Sequence, residues 1–167
     1  MPTIWSGFII SGRRTLLRPH ALIALLILLF AGPCRAAVMS GWVVWVVDGD
    51  TLHLMDEAGE RHRIRLSGIN APEKDKPFAQ GARDQLVSLV QGKRVSVYWD
   101  KVDKYERIVG KVVSEGRDIN LALIRTGYAL WYRRFAQEQN PVDQMLYENA
   151  EQAAKREGAG LWSGQRR

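Results

Sequence analysis

Residues 41–55 read GWVVWVVDGDTLHLM and decide the fold of this chain. β-Branched and aromatic residues fill positions 41–47, and positions 51–55 alternate in the manner of a half-buried strand. Between them, Asp48-Gly49 is one of the strongest signals for a tight hairpin turn. The stretch therefore predicts two antiparallel strands joined by a short turn.

Three further strands follow along the chain. Residues 57–60 are a second turn signal, and residues 61–66 alternate basic with partly apolar side chains. Residues 94–99 and 108–113 are again rich in β-branched and aromatic side chains. Five short strands separated by turn residues indicate a small closed barrel.

Three segments predict helices. Residues 78–90 place apolar side chains on one helical face and end at a glycine, and the short apolar segment 120–126 is closed by Gly127. The third helix, residues 143–157, follows Pro141. We expect this helix to pack one apolar face on the barrel. That face comprises Met145, Leu146, Ala150 and Ala153 or Ala154.

The segment 1–36 is predicted to be a secretory signal peptide. Residues 1–20 contain Arg13, Arg14 and Arg18 and no acid, and the apolar run 21–31 follows. The segment ends in Cys34-Arg35-Ala36, which suits cleavage before Ala37. The apolar run is too short to span a bilayer comfortably, although an uncleaved membrane anchor stays the alternative. Arg13-Arg14 also resembles a twin-arginine signal, so the export route is open. The domain is then 37–167, in a secreted or periplasmic protein.

Removal of this segment changes the charge of the protein. The segment holds four arginines and no acid, so its loss lowers the net charge from +6 to +2. Overall charge is therefore weak support for nucleic-acid binding. The only cysteine, Cys34, is lost as well, and the exported domain must be held together by its core. His53 and His62 lack cysteine partners for a zinc site, and no glycine-rich phosphate loop supports a nucleotide cofactor.

Three short clusters supply the parts of a metal-dependent phosphodiesterase. They are Asp48-Gly49-Asp50-Thr51, Arg65 with Asn70-Ala71-Pro72-Glu73, and Asp103-Lys104-Tyr105-Glu106-Arg107. Carboxylates hold hard cations, a glutamate can move a proton, and the planar fork of arginine matches phosphate oxygens. Each cluster alone has an ordinary reading as a hairpin turn, a solvated loop or a surface arginine.

Taken in this order, from Gly41 to Trp162, the clusters make the chain resemble the staphylococcal nuclease (thermonuclease) family. The resemblance implies an α+β, mainly β fold, a five-stranded OB-type barrel with about three packed helices in the order βββαββαα. It also implies hydrolysis of phosphodiesters with calcium, a glutamate and two arginines. The number of elements follows from the sequence, whereas the topology follows from the family.

The resemblance assigns a role to each cluster. One calcium ion is expected, with three residues as its ligands: Asp50 and Asn70 through side chains and Ala71 through its backbone carbonyl. Asp48, on the same turn as Asp50, is expected to add its charge through water. Asn70 departs from the family pattern, which has Asp, and this loss of one charge predicts weak calcium binding. Glu73 matches the general base. Arg65, expected at an inward-facing strand position, and Arg107, at the start of another strand, match the two arginines that grip the phosphate.

Aromatic and basic residues supply candidate contacts to the nucleic acid. Tyr105 matches a family tyrosine that contacts the nucleotide, and Lys104 would add a phosphate contact. A second stretch, Trp131, Tyr132, Arg133 and Arg134, has the interleaving that can stack bases and hold a backbone. Both sets have an equally good reading as packed aromatics and surface cations. Arg61 and Arg63 are expected to be solvated strand residues.

The sequence thus predicts an exported, calcium-dependent nuclease that acts on DNA, with RNA as a second candidate substrate, and has little sequence preference. We expect a monomer without a nucleotide cofactor or a stable membrane partner after cleavage. A non-catalytic OB-type binding module with a metal site decayed at Asn70 is the alternative, and an accessory domain of a larger assembly is a third. Retention of Asp50, Arg65, Glu73 and Arg107 together favours the enzyme.

Overall fold

The computed structural model describes residues 37–164, so the predicted signal peptide or anchor at 1–36 lies outside the described residues. The strands are β1 (Ala37–Val46), β2 (Thr51–Asp56), β3 (Arg61–Leu66), β4 (Ile69–Asn70), β5 (Arg94–Val102), β6 (Ile108–Ser114), β7 (Arg117–Asp118) and β8 (Leu130–Trp131). The α-helices are α1 (Ala79–Val90), α2 (Ile119–Arg125) and α3 (Pro141–Glu157). Two 3-10 helices span Arg133–Glu138 and Gly160–Trp162. Within residues 37–164, no helix is long and apolar enough to cross a membrane.

Strands β1, β2, β3, β5 and β6 form a closed barrel. Their order is β3-β2-β1-β5-β6, with antiparallel neighbours and β7 added beside β6. A short parallel pairing of β3 with β6, from Ile64↔Ile108 to Leu66↔Gly110, joins the two edges. The predicted α+β fold with a five-stranded OB-type barrel is confirmed.

All predicted strands and helices are present, with small shifts at their ends. Strand β1 begins at Ala37 instead of residue 41, because its first part pairs with β5 from Ala37↔Trp99 onward. The strands β4, β7 and β8 have two residues each, which is too short to produce a periodic pattern. They form where tertiary structure brings segments together, since β4 pairs with β8 and β7 pairs with β6.

The core lies inside the barrel and under α1 and α2. Along β2 and β3 every second side chain points inward, as Leu52, Leu54, Ile64 and Leu66 do, and these side chains are fully buried. The helices add further buried apolar residues to this cluster, namely Leu86, Val90, Leu123 and Ile124. Burial of such side chains is worth about 1.5–3 kcal/mol each and is the main stabilisation of the domain.

The prediction for the packed face of the third helix was partly wrong. The buried residues of α3 are Tyr147, Ala150, Glu151 and Ala154. Met145 and Leu146 are exposed by 57% and 40%, so they do not face the barrel as expected. The buried residues recur every three or four positions, as one helical face requires, and they include a tyrosine and a glutamate that an apolar pattern overlooks.

A buried asparagine ties α2 to the place where the barrel closes. Asn120 is fully buried. Its Oδ1 accepts a hydrogen bond of 3.0 Å from the Val112 N–H, and its Nδ2 donates one of 2.8 Å to the Ser67 carbonyl. Since Ser67 follows β3 and Val112 lies in β6, one amide joins both closing strands to a helix.

We predict that Asn120→Ala lowers the free energy of unfolding by about 2 kcal/mol, because a buried N–H and a buried carbonyl lose their partner. Urea unfolding followed by circular dichroism measures the change. Asn149→Ala, at an exposed position of α3, is the matched control and should stay within about 0.5 kcal/mol of wild type. Equal stability of the two variants would contradict the proposed role of Asn120.

Candidate active site

The turn between β1 and β2 presents the first carboxylates. The Val47 N–H donates to the Thr51 carbonyl over 2.9 Å, and Asp48 Oδ1 accepts from the Asp50 N–H over 3.0 Å. The turn packs closely on its surroundings, because a Cβ at Gly49 would lie 2.6 Å from the Ala71 Cβ and 2.7 Å from the Ala82 Cβ. A glycine is therefore required at this point of the turn.

The carboxylate of Asp50 joins three parts of the chain. Its Oδ2 accepts a hydrogen bond of 2.9 Å from the Ala71 N–H and lies 3.1 Å from Arg65 Nη2. Its Oδ1 accepts from the Thr51 hydroxyl over 3.2 Å. Asp50 is buried, at 8% exposure, so these contacts form away from bulk water.

Burial makes this carboxylate difficult to ionise. Desolvation raises the pKa of Asp50 to about 6, with a contribution from the charge of Asp48, whereas Arg65 and the Ala71 N–H act in the opposite direction. A nearby positive charge favours the ionised form of a carboxyl group. The environment of Asp50 is therefore one that an additional cation would stabilise.

The direction of Arg65 differs from the prediction. It shares its face of β3 with exposed Arg61 and Arg63, whereas Ile64 and Leu66 on the opposite face fill the core. Alternation along a strand requires this arrangement, because the three arginines are two residues apart. Arg65 thus points away from the barrel interior, and the site lies on the outside of the barrel.

The guanidinium of Arg65 is held in place by backbone as well as by Asp50. It donates to the Leu66 carbonyl over 2.5 Å and to the Ile69 carbonyl over 2.9 Å. Strand β4, which contains Ile69, pairs with β8 through Ile69↔Trp131 and Asn70↔Leu130. This pairing positions Asn70 and the residues that follow it beside the Asp50 carboxylate.

Glu73 lies on the exposed loop after β4, where its carbonyl accepts a hydrogen bond of 2.8 Å from the Lys76 N–H.

The second arginine, Arg107, is positioned by a short loop between β5 and β6. Asp103 Oδ2 accepts from Arg107 Nε over 2.8 Å, and its Oδ1 accepts from the backbone N–H groups of Tyr105 and Arg107. Tyr105 is 61% exposed, and its ring centre lies 5.3 Å from the Arg107 guanidinium and 5.0 Å from Lys104 Nζ.

A cleft of about 1040 Å³ brings most of the predicted site residues together. The predicted residues that line it are Asp48, Asp50, Arg65, Asn70, Ala71, Glu73, Lys104, Tyr105, Arg107 and Tyr132. It is also lined by Arg134, which belongs to the predicted aromatic and basic stretch, and by Lys101 and Phe135, which the sequence analysis did not select. The Phe135 ring packs edge-to-face on the Tyr132 ring, with the ring centres 5.0 Å apart. The basic and aromatic stretch that starts at Trp131 was the sequence signal for this part of the cleft.

Trp131 and Arg133 do not belong to the cleft lining. The Arg133 guanidinium lies 4.5 Å above the Trp131 ring and 2.8 Å from the buried carboxylate of Glu151. Glu151 also accepts the Trp131 N–H over 3.0 Å. These contacts hold β8 against α3, and a contact of either residue with nucleic acid stays a prediction.

The donors around Asp50 suit a hard cation. Among residues 37–164 no group of three or more His, Cys, Asp or Glu side chains is arranged to hold a metal ion. The predicted set instead combines the Asp50 carboxylate, the Asn70 amide and the Ala71 carbonyl, which all line the cleft. Calcium prefers such oxygen donors, including amide and backbone oxygens, so the residues present fit this ion.

Comparisons with known proteins identify the family of the chain. The model of the family described as staphylococcal nuclease homologue matches residues 63–164. The chain belongs to the staphylococcal nuclease family. It is 37% identical to a protein of Escherichia coli named uncharacterized endonuclease, over 84% of this chain and 88% of that protein. It is 32% identical to a micrococcal nuclease of Shigella flexneri, over 86% of this chain and 84% of that protein. Membership and these relatives support a nuclease of the staphylococcal type.

The buried Glu151 predicts a pH dependence of stability. Burial opposes its ionisation, but hydrogen bonds from Lys155, Arg133 and the Trp131 N–H outweigh this effect and lower the pKa of Glu151 below its ordinary value of 4.5. A lowered pKa in the folded state adds stability above the unfolded pKa, and this stability is lost as pH falls through the folded value.

We expect Glu151→Gln to lower the free energy of unfolding by about 2 kcal/mol at pH 7, because charge-assisted hydrogen bonds are lost. Its stability should then decrease less steeply than that of wild type below pH 4.5. Urea unfolding between pH 7 and about pH 3 measures both effects. Glu148→Gln, on the exposed side of α3, should keep the wild-type slope. The same slope in Glu151→Gln and wild type would refute the assignment.

Proposed function

We propose that this protein is a calcium-dependent endonuclease that hydrolyses the phosphodiester backbone of DNA, with RNA as a second candidate substrate. One observation carries the proposal: a single cleft contains the oxygen donors around Asp50, the exposed carboxylate of Glu73 and two arginines held by the chain itself. These are the groups that phosphodiester hydrolysis needs, namely a cation site, a base and positive charge for the phosphate.

Asp50, Asn70 and the Ala71 carbonyl would hold the ion, with Asp48 acting through water. When bound, calcium supplies positive charge that stabilises the developing charge of the phosphoryl oxygens. The charge count of the protein ligands sets calcium affinity, and Asn70 contributes an amide where a carboxylate would add a charge. Weak binding, in the range of extracellular calcium modules, follows from this ligand set.

Glu73 is suited to act on the attacking water. Its carboxylate is exposed and lines the cleft, so it can accept a proton from water at the phosphate. The proton passes to a carboxylate oxygen of Glu73 while the water oxygen forms the new bond to phosphorus. The bond from phosphorus to the leaving oxygen of the polynucleotide then breaks, and this oxygen takes a proton from solvent water to leave as a hydroxyl group.

The two arginines are suited to grip the phosphate. Arg65 is fixed by two backbone carbonyls and Asp50, and Arg107 is fixed by Asp103. Donors that are already oriented cost little reorganisation when charge develops on the phosphoryl oxygens. The planar, positively charged fork of a guanidinium matches two oxygens of an anionic phosphate.

Exposed aromatic groups in the same cleft would hold the substrate with little sequence preference. Tyr105 and Tyr132 offer ring faces for stacking, and Lys104 offers a charge for the backbone. Stacking and backbone contacts read no base edges, so cleavage at many sequences is expected. We further propose a monomer that is exported by its N-terminal segment and acts outside the cytoplasm, without a nucleotide cofactor or a stable membrane partner.

A non-catalytic binding module remains the competing function. The observation that favours it is Asn70, the one ligand position that lacks the family's carboxylate. It predicts oligonucleotide binding without cleavage, and its test is the same assay as that for the enzyme.

The test is hydrolysis of single-stranded DNA by the purified protein across a calcium titration. Glu73→Gln should lower kcat by about 10²–10⁴, because the attacking water loses its base. Exposed Glu60, away from the cleft lining, provides the control Glu60→Gln, which should retain wild-type turnover. Near-normal turnover by Glu73→Gln would refute the proposed mechanism.

In the same titration, Asn70→Asp should reach half-maximal activity at lower calcium than wild type, because the site gains a negative charge. An unchanged calcium dependence would show that Asn70 is not a ligand. If wild type binds DNA but cleaves none at any calcium concentration, and only Asn70→Asp is active, the chain is a binding module.

A further inference from the structure

The outer face of β1, β2 and β3 carries an exposed cluster that the proposed chemistry does not use. Trp42 and Trp45 are 54% and 52% exposed, which is unusual for the largest apolar side chain. We call this cluster the tryptophan–arginine face. It comprises Trp42, Trp45, His53, Met55, Arg61 and Arg63.

Strand register arranges these side chains in two rows across the sheet. Trp42 pairs with Met55, which pairs with Arg61. One step further along the strands, Trp45 pairs with His53, which pairs with Arg63. Directly paired residues point to the same side of a sheet, so each row runs from a tryptophan to an arginine.

A β-bulge produces this arrangement. The pairing of β1 with β2 shifts between Val43 and Trp45, which leaves Val44 as the extra residue. In a regular strand, residues three apart such as Trp42 and Trp45 would face opposite sides. The bulge turns both indoles outward while Val43 and Val46 stay in the core.

The face is positively charged beside the indoles. Arg61 and Arg63 are exposed neighbours on one side of β3. Burial, followed by the charges of these two arginines, lowers the pKa of His53, so the field at the centre of the face is positive. Arg83 adds a guanidinium 5.2 Å from the Trp45 ring centre.

The same face leads directly into the active site. Arg61, Arg63 and Arg65 occupy every second position of β3, about 7 Å apart. The next row after Trp45–His53–Arg63 is Thr51↔Arg65, and Thr51 follows Asp50 in the chain. A line of guanidinium groups therefore connects the two tryptophans with the arginine that we place at the scissile phosphate.

We propose that the tryptophan–arginine face binds the single-stranded polynucleotide that flanks the scissile phosphate. Bases stack on indole faces irrespective of their identity, and arginines at strand spacing pair with successive backbone phosphates. Continuity with Arg65 favours a polynucleotide over an anionic lipid surface, which would need no such line of charge. The inference rests on the proposed nuclease function and extends its substrate site from one phosphodiester to a longer strand.

The test compares a long with a minimal substrate. KM and kcat are measured for a 20-nucleotide oligothymidylate and for a dinucleotide, with wild type, Trp42→Ala/Trp45→Ala and Arg61→Ala/Arg63→Ala. The tryptophan variant should raise KM for the long substrate about 5-fold or more. The arginine variant should reduce the slope of log affinity against log salt by about 1.4, for two lost contacts on a single strand. Both should cleave the dinucleotide like wild type.

Matched controls separate this surface from general effects. Met145→Ala and Arg156→Ala remove an exposed apolar and an exposed basic side chain from α3 and should behave like wild type. Circular dichroism establishes that each variant is folded. Wild-type KM and salt slope for the long substrate in both face variants would overturn the inference.

A binding assay distinguishes failure of the inference from failure of the proposed function. Fluorescence anisotropy of labelled oligothymidylate with Glu73→Gln, alone and combined with each face variant, needs no cleavage. If wild type cleaves nothing but oligothymidylate binding depends on the tryptophan–arginine face, the proposed hydrolysis is refuted. Polynucleotide binding by this face, which is the inference, is then still supported. If anionic phosphatidylserine vesicles bind through the two tryptophans while oligonucleotide affinity is unchanged, the face is a lipid site and the inference fails.

Discussion

The site depends on the interactions of the buried Asp50 carboxylate. It accepts the Ala71 N–H, lies 3.1 Å from Arg65 and so joins the first hairpin, strand β3 and the loop that carries Glu73. This arrangement costs stability, since burial raises the pKa of Asp50 to about 6. The protein thus gives up folding stability at this position, as the cation site that we propose would require.

Alternation along a strand places core side chains on one face and the candidate site residues on the other. One face of β3 fills the core with Ile64 and Leu66, and the other presents Arg61, Arg63 and Arg65 to the outside. Parallel pairing of β3 with β6 closes the barrel and also brings the Arg107 loop to the cleft. A rigid barrel thus holds the side chains that we propose as catalytic, which lie mostly on its loops.

Local sequence patterns were sufficient to predict the main strands and helices. Several individual side-chain positions depend on tertiary contacts and were not predicted. The hairpin at Asp48-Gly49 and the barrel strands were predictable because side-chain periodicity is local. The family resemblance supplied the topology and the roles of Asp50, Glu73 and Arg107. The outward direction of Arg65 was available from the sequence, because Arg65 alternates with Ile64 and Leu66 and shares its face with Arg61 and Arg63, which were expected to be solvated. The buried Tyr147 and Glu151 of α3 were missed because polar groups are buried only with partners, and partners such as Asp118 and the Trp131 N–H belong to other elements of the fold.

The central claim is that the Asp50 cluster holds calcium for phosphodiester hydrolysis, and thermal unfolding with and without calcium tests it most directly. A ligand that binds only the folded state at about 100 times its Kd stabilises by about 2.7 kcal/mol. We predict a calcium-dependent rise in Tm for wild type and for Asp84→Asn, an exposed control on α1, and none for Asp50→Asn. An equal rise in Asp50→Asn, or no rise in wild type at any calcium concentration, would contradict the account.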